Sequence, residues 1–113
     1  MQIRPIALDA MGGDHAPSAT VEGACRAVRE GLPVLLVGDE AVLGPMVPSG
    51  VSLPIVHATE RIEMGESPSQ AVRSRPDCSV RVAARAVREG QASALVSFGN
   101  TGALMAASLM ELG

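Results

Sequence analysis

The stretch PVLLVG, residues 33 to 38, indicates the fold class of this chain. The four residues between its proline and its glycine are all aliphatic, and a short continuous apolar run is typical of a strand buried on both faces of a parallel sheet. Three further runs predict strands on similar grounds: IRPIALD at 3–9, SLPIVHA at 52–58 and SALVS at 93–97. Because helix-forming stretches separate these runs, we predict an α/β fold with a mostly parallel sheet and helices on both of its faces.

Helical periodicity marks the segments between the predicted strands. The first helix is expected from about Pro17 to Glu30, with apolar residues recurring at Val21, Ala24, Cys25, Val28 and Leu32. Further helices are expected at 39–46, at 68–73, at 78–89 with Asp77 as a possible N-cap, and at 102–112. In parallel sheets, ligands bind beyond the carboxyl ends of the strands, so loops 10–16, 38–39, 58–66 and 97–101 are the places to search for a site.

Composition excludes several classes of function. The chain has 113 residues and a formal charge of −3, and all nine of its cationic side chains are arginines. Without lysine it has neither a GxxxxGK[ST] phosphate loop nor a Schiff-base nucleophile. The acidic balance argues against nucleic-acid binding, and the single aromatic residue, Phe98, rules out a stacking platform. Cys25 and Cys78 have no metal or disulfide spacing, and no secretory signal is visible, so a cytoplasmic protein is expected.

The last part of the sequence contains an uncharged run from 92 to 110 that reaches the length of a membrane span. Its serines, Asn100 and Thr101, together with Gly99 and Gly102 near the middle, instead favour a buried strand, a loop and a mostly buried helix. In that arrangement the stretch SFGNTG at 97–102 lies at a helix start, where free N–H groups and the positive end of the helix dipole favour an anion. The alternative is that Asn100 or Thr101 only caps the helix.

The first loop, in LDAMGGDHAPS, repeats that layout. Asp9 closes the strand, Gly12 and Gly13 follow, and Asp14 and His15 precede the helix. Asp39 at the end of the next strand invites a dinucleotide interpretation, but neither glycine loop has the GxGxxG pattern. His15 is a candidate general acid or base, with a solvated loop or capping histidine as the alternative.

Arginines concentrate in the region from 61 to 88. Arg61, Arg73 and Arg75 lie in a polar stretch, and Arg81, Arg85 and Arg88 follow at a spacing that places them on one side of a helix. Such a stripe could dock an acidic partner or could be a solvated surface, and an Arg85–Glu89 pair would weaken it for docking.

These stretches together resemble a known family. IALDAMGGDHAP, VGDE, IVHATERIEMGESPSQAVR and SFGNTGALMA occur in the order and spacing of the bacterial phosphate acyltransferases of phospholipid synthesis (the PlsX family), and the resemblance covers essentially the whole chain. Phe98 departs from the pattern, since Ser-Ala-Gly is usual where this chain has Ser97-Phe98-Gly99. Family members are much longer, so residues 1–113 are expected to be the N-terminal part of a single longer α/β catalytic domain that is inactive in isolation.

The resemblance implies an enzyme that moves a long-chain acyl group from acyl carrier protein to inorganic phosphate. The acyl phosphate would then feed a downstream glycerol-3-phosphate acyltransferase. It also implies a fold similar to isopropylmalate dehydrogenase and phosphotransacetylase, a homodimer, no nicotinamide or metal cofactor, and a cytoplasmic protein with peripheral membrane contact.

We therefore expect loop 97–102 to bind phosphate or the acyl-phosphate head group, with 9–14 as the opposite wall. The expected catalytic residues are Asn100, Thr101, His15 and Asp14. The expected substrate- and phosphate-binding residues are Asp9, Gly12, Gly13, Ser97, Gly99, Gly102, Arg73 and Arg81. Two alternatives stay open: an NAD-dependent decarboxylating dehydrogenase of the same fold, and a carrier-protein-binding module without activity.

Overall fold

A computed structural model describes residues 3–113, which form one four-stranded parallel sheet. The strands are β1 (Ile6–Asp9), β2 (Val34–Gly38), β3 (Ile55–His57) and β4 (Ala94–Val96), in the order β3-β2-β1-β4. The register aligns Ile6 with Val34 of β2 and with Ala94 of β4. The strands are therefore shorter than the sequence patterns suggest, but all four occur where they are predicted.

Helices cover both faces of this sheet, as predicted. They are α1 (Ser18–Arg29), α2 (Glu40–Leu43, continued by a 3₁₀ turn at Gly44–Met46), α3 (Pro68–Ser74), α4 (Ser79–Arg88) and α5 (Thr101–Leu112). On one face Leu8 and Leu36 pack with Val21 and Leu43, which belong to α1 and α2. On the other face the alternate residues of the same strands pack against α4. The all-apolar run at 33–38 follows from this double covering, because a strand with helices on both faces has no side exposed to water.

A third apolar cluster joins α3, α4 and α5 beside the sheet. Val72, Cys78 and Ala84 are fully buried there together with Ala103 and Ala107. The α5 residues in this cluster are small, which allows the helix to pack directly against α4. The same interface buries Glu111, whose side chain is only 3% exposed and contacts the arginines of α4.

Two local predictions are wrong. Leu32 is 53% exposed, because α1 ends before the positive-φ Gly31 and the helical period no longer applies beyond it. The N-cap of α4 is Cys78 rather than Asp77, since an isolated bridge between Glu60 and Cys78 keeps the chain extended up to that point. Cys25 is buried with a free thiol, as expected, and so is Cys78.

The uncharged run at 92–110 is divided between β4, a loop and α5, as the glycines and polar residues indicate. Among residues 3–113, no helix combines the length and the apolar character that crossing a membrane requires.

Candidate functional site

The candidate site lies where β1 and β4 end side by side. The helices that follow these strands leave in opposite directions, since α1 packs on one face of the sheet and α5 lies beside α4 on the other. Such a reversal opens a crevice at the carboxyl edge, which is the usual ligand position in open α/β sheets. Loops 10–16 and 97–100 both line this crevice.

Asp9, the last residue of β1, is a buried carboxylate at the base of the crevice, only 3% exposed. Ser97 Oγ donates to Asp9 Oδ2 at 2.9 Å, and the N–H of Met11 donates to Oδ1 at 3.2 Å. Burial is the largest influence and raises the pKa of Asp9, against the opposing effect of the Ser79 and Ser97 hydroxyls and of the nearby N–H groups. No cationic side chain within residues 3–113 forms a salt bridge with it.

The two glycine loops contact each other through Gly12 and Gly99. A Cβ on Gly12 would lie 2.7 Å from Asp9 Oδ2 and 3.1 Å from Gly99 N, and a Cβ on Gly99 would lie 3.2 Å from Gly12 Cα. Ser97 Oγ also accepts from the N–H of Gly99 at 3.2 Å. The predicted pairing of these loops is therefore present, and only glycine allows so close an approach of the two backbones.

Asn100 has a structural role at this site. It is the N-cap of α5, with Oδ1 accepting from the N–H of Ala103 at 3.1 Å. Its Nδ2 donates to the carbonyl oxygens of Glu63, Met64 and Glu66, at 3.2 to 3.4 Å. Both ends of the amide are thus engaged with the protein, and Asn100 ties the start of α5 to the 63–66 segment.

The segment from 61 to 66 forms a third wall, which Asn100 holds from one side. Arg75 holds it from the other, with two hydrogen bonds to the carboxylate of Glu66 and one to the carbonyl of Arg61. The hydrogen bonds from Arg75 lower the pKa of Glu66 to about 2. Arg61 itself forms a salt bridge with Glu63 at 3.0 Å, and its side chain is 39% exposed.

The start of α5 keeps donors available to a ligand. Among the described residues no acceptor is found for the N–H groups of Thr101 and Gly102 or for the exposed side chain of Thr101. Gly102 has no room for a side chain, because a Cβ there would lie 2.6 Å from Pro68 at the start of α3. The helix start can therefore bind an anion through its N–H groups and the Thr101 hydroxyl.

Two cavities meet at Gly12. The smaller has about 10 Å³ of free space, and is lined by Asp9, Ser79, Ser97, Gly99, Asn100 and Arg61, among others. That volume holds about one water molecule, so the expected phosphate does not fit inside it. The larger is an apolar groove of about 620 Å³ between α1 and the sheet, which also contacts Gly13, Asp14 and His15.

The predicted site residues are only partly brought together. Asp14 and His15 lie at the rim of the groove, while Arg73 is exposed on α3 and does not line either cavity. Arg81 donates to Glu111 at 2.8 Å and to the carbonyl of Val72 at 3.1 Å, which leaves its guanidinium engaged away from the crevice.

Sequence reasoning did not select Arg61 and Ser79 as site residues. Both line the smaller cavity. Arg61 could have been found from its place in the loop after β3, which the strand-end rule selects. No local signal selects Ser79. Asp39, the acid of the dinucleotide interpretation, accepts from the N–H of Ala41 and caps α2 instead.

Comparison with known proteins identifies the family of this chain. The family model described as fatty acid synthesis protein matches residues 4–113. A phosphate acyltransferase of Anaeromyxobacter sp. (strain Fw109-5) is 51% identical over 99% of this chain, and one of Thermus thermophilus is 51% identical over 96%. One of Halalkalibacterium halodurans is 50% identical over 96%. The chain spans about a third of the length of these relatives, 33% in each case.

Proposed function

Because this chain belongs to the fatty acid synthesis protein family, whose curated relatives are named phosphate acyltransferases, we propose that it supplies the phosphate-binding part of such an enzyme. The observation that carries the proposal is the open start of α5 at the reversal between β1 and β4, next to Arg61. An anion at that place would meet the N–H groups of Thr101 and Gly102, the Thr101 hydroxyl and a guanidinium.

In the proposed reaction, inorganic phosphate attacks the carbonyl carbon of a long-chain acyl thioester carried by acyl carrier protein. A phosphate oxygen forms the new bond to carbon, the carbon–sulfur bond breaks, and the carrier thiolate leaves and takes up a proton. The products are an acyl phosphate and free carrier protein. No covalent bond to the enzyme forms, so the protein's task is to position the phosphate anion against the thioester carbonyl and to stabilise the oxyanion.

The buried Asp9 supports this assignment through its position, because Ser97 joins its carboxyl to the N–H of Gly99 and so holds the loop that leads into α5. In this proposal His15 and Asp14, which line the rim of the groove, would meet the acyl carbonyl rather than the phosphate.

The wider setting belongs to the same proposal. The acyl phosphate would be passed to a glycerol-3-phosphate acyltransferase for phospholipid synthesis, by a cytoplasmic homodimer that touches the membrane surface. Neither a nicotinamide nor a metal is required for the proposed chemistry.

Arg61 and Thr101 provide the test, in the protein at its natural length. Loss of a charge-assisted hydrogen bond to phosphate costs about 1.5–3 kcal/mol, so we expect Arg61→Gln and Thr101→Val each to raise the KM for phosphate by roughly tenfold or more. Arg29→Gln, an exposed arginine at the end of α1, and Ser108→Ala, in the middle of α5, are the matched controls. A phosphate KM and kcat unchanged in both site variants would overturn the assignment.

A further inference from the structure

The salt bridge between Arg61 and Glu63 engages the guanidinium that the proposed function assigns to phosphate. Nε of Arg61 donates to Oε1 of Glu63 at 3.0 Å, and Nη2 of Arg61 donates to Oε2 at 3.4 Å. Two N–H groups of one guanidinium therefore meet two oxygens of one anion. Arginine binds phosphate groups in the same two-pronged geometry, so the Glu63 carboxylate takes the place on Arg61 that two phosphate oxygens would take.

The backbone around this pair is held from both sides. The N–H of Glu63 donates to Oε2 of Glu66 at 2.8 Å, and the carbonyl of Glu63 accepts from Nδ2 of Asn100 at 3.4 Å. The carbonyl of Arg61 accepts from Nη1 of Arg75 at 3.2 Å. Because Asn100 also caps α5, these hydrogen bonds keep the pair beside the helix start at which phosphate is proposed to bind. The two side chains can therefore separate while the loop that carries them stays in place.

The pair is also more accessible than the neighbouring ion pair of the same segment. The side chains of Arg61 and Glu63 are 39% and 62% exposed, whereas those of Arg75 and Glu66 are 35% and 28% exposed. Arg75 is further committed by its hydrogen bond to the carbonyl of Arg61. Exposed ion pairs contribute little to stability, so a phosphate dianion can displace Glu63 from Arg61 at small cost.

We propose that Glu63 is an internal competitor for phosphate and thereby sets the phosphate affinity of the site. Glu63 holds Arg61 before phosphate binds. Binding then exchanges the carboxylate for two phosphate oxygens, while the start of α5 supplies its N–H groups. The apparent affinity equals the intrinsic affinity multiplied by the fraction of molecules in which Arg61 is released. This inference rests on the proposed function and deepens it, since it assigns a residue that regulates the same site.

The test measures the binding of inorganic phosphate by isothermal titration calorimetry and the phosphate KM by steady-state assay, both in the protein at its natural length. The usual strength of an exposed ion pair corresponds to an apparent affinity lowered about two- to sixfold. We therefore expect Glu63→Gln to bind phosphate about two- to sixfold more tightly and to lower the phosphate KM by the same factor. The value of kcat should not change, because Glu63 is already displaced once phosphate is bound.

A double variant separates competition at Arg61 from simple repulsion between Glu63 and phosphate. If Glu63 acts by holding Arg61, Glu63→Gln should not change the phosphate affinity in the Arg61→Gln background. Repulsion alone would give the same gain in both backgrounds. The matched control is Glu60→Gln, which removes one charge from an exposed position of the same loop. Glu60 forms no salt bridge within residues 3–113, so this control should leave the phosphate affinity unchanged.

An unchanged phosphate affinity in Glu63→Gln would overturn the inference, and so would an equal gain in the Arg61→Gln background or in Glu60→Gln. If Arg61→Gln nevertheless weakened phosphate binding, the proposed function would stand without the competitor. Failure of the proposed function gives a different result. A protein that shows the Arg61-dependent gain in phosphate affinity but transfers no acyl group to phosphate would refute the reaction and leave the role of Glu63 standing.

Discussion

Gly12 shows at the scale of one residue how the site is built. Its missing side chain lets loop 10–16 contact Gly99 and brings both loops to the buried carboxyl of Asp9. Asp9 in turn accepts a hydrogen bond from Ser97 Oγ, which itself accepts from the N–H of Gly99. The geometry of the crevice therefore depends on close contacts of backbone and small side chains rather than on large groups.

We predict that Gly12→Ala destabilises the protein by about 1–3 kcal/mol, as overpacking of a close contact does, because its Cβ would collide with Asp9 Oδ2 at 2.7 Å. Gly44→Ala is the control, since a Cβ at that position meets nothing within 4 Å. Urea unfolding of both variants measures the difference. Equal stability of Gly12→Ala and the unaltered protein would show that the loops separate without cost.

At the scale of elements, one buried carboxylate adds to the apolar cluster that packs α5 on α4. Glu111 contacts Arg81 at 2.8 Å, Arg85 at 3.3 Å and Arg88 at 2.7 Å. The predicted Arg85–Glu89 pair does not form, because the Arg85 guanidinium donates to Glu111 and to the carbonyl of Pro76. The carboxylate of Glu89 instead lies 3.9 Å from the guanidinium of Arg88. The arginine stripe is therefore largely an internal contact between helices.

Removal of the charge of Glu111 should loosen this contact. Burial alone would raise the pKa of Glu111, but the hydrogen bonds and charges of the arginines outweigh it and lower the pKa. We expect Glu111→Gln to cost about 2–3 kcal/mol in the free energy of unfolding. The same change at the exposed Glu89 should cost less than about 1 kcal/mol. If denaturant unfolding gave equal effects for the two, α5 would be held by apolar packing alone.

At the scale of the whole molecule, Asp9 and Glu111 make the stability respond to pH in opposite directions. The pKa of Glu111 is lowered on folding, so its contribution is present above its ordinary value of 4.5 and is lost as the pH falls below it. The pKa of Asp9 is raised, so the unfolded chain ionises first as the pH rises above 3.8. Above that pH the contribution of Asp9 to the free energy of unfolding falls with rising pH, until the Asp9 carboxyl of the folded protein ionises too.

Asp9→Asn isolates the second effect, because an amide does not ionise, while its oxygen can still accept from the N–H of Met11 and its Nδ2 can donate to Ser97 Oγ. We predict that the stability of this variant relative to the unaltered protein increases as the pH rises from 3 to 7. Asp14→Asn, in the exposed part of the same loop, is the control for the loss of one charge. Denaturation at several pH values measures both differences. A difference for Asp9→Asn that is independent of pH would mean that its carboxyl ionises equally in both states.

The sequence by itself determined the strands, the helices and the position of the two glycine loops. These features depend on patterns of a few neighbouring residues, such as the aliphatic run at 33–38, and on the rule that parallel strands end at one edge. The order β3-β2-β1-β4 then brings Asp9 and Ser97 together, although they are far apart in the sequence. Fold class and the loops of the candidate site were thus predictable.

Only the tertiary structure decided which side chains remain available to a ligand. Whether Arg81 faces phosphate or Glu111 depends on how α5 packs on α4. Arg81 and Glu111 are thirty positions apart in the sequence. Asn100 has its amide engaged by carbonyls of the 63–66 segment, which no local pattern reveals. Arg61 and the groove likewise arise from the meeting of separate loops and helices. Hydrogen bonds and cavities of this kind are properties of packed surfaces, and a one-dimensional pattern does not contain them.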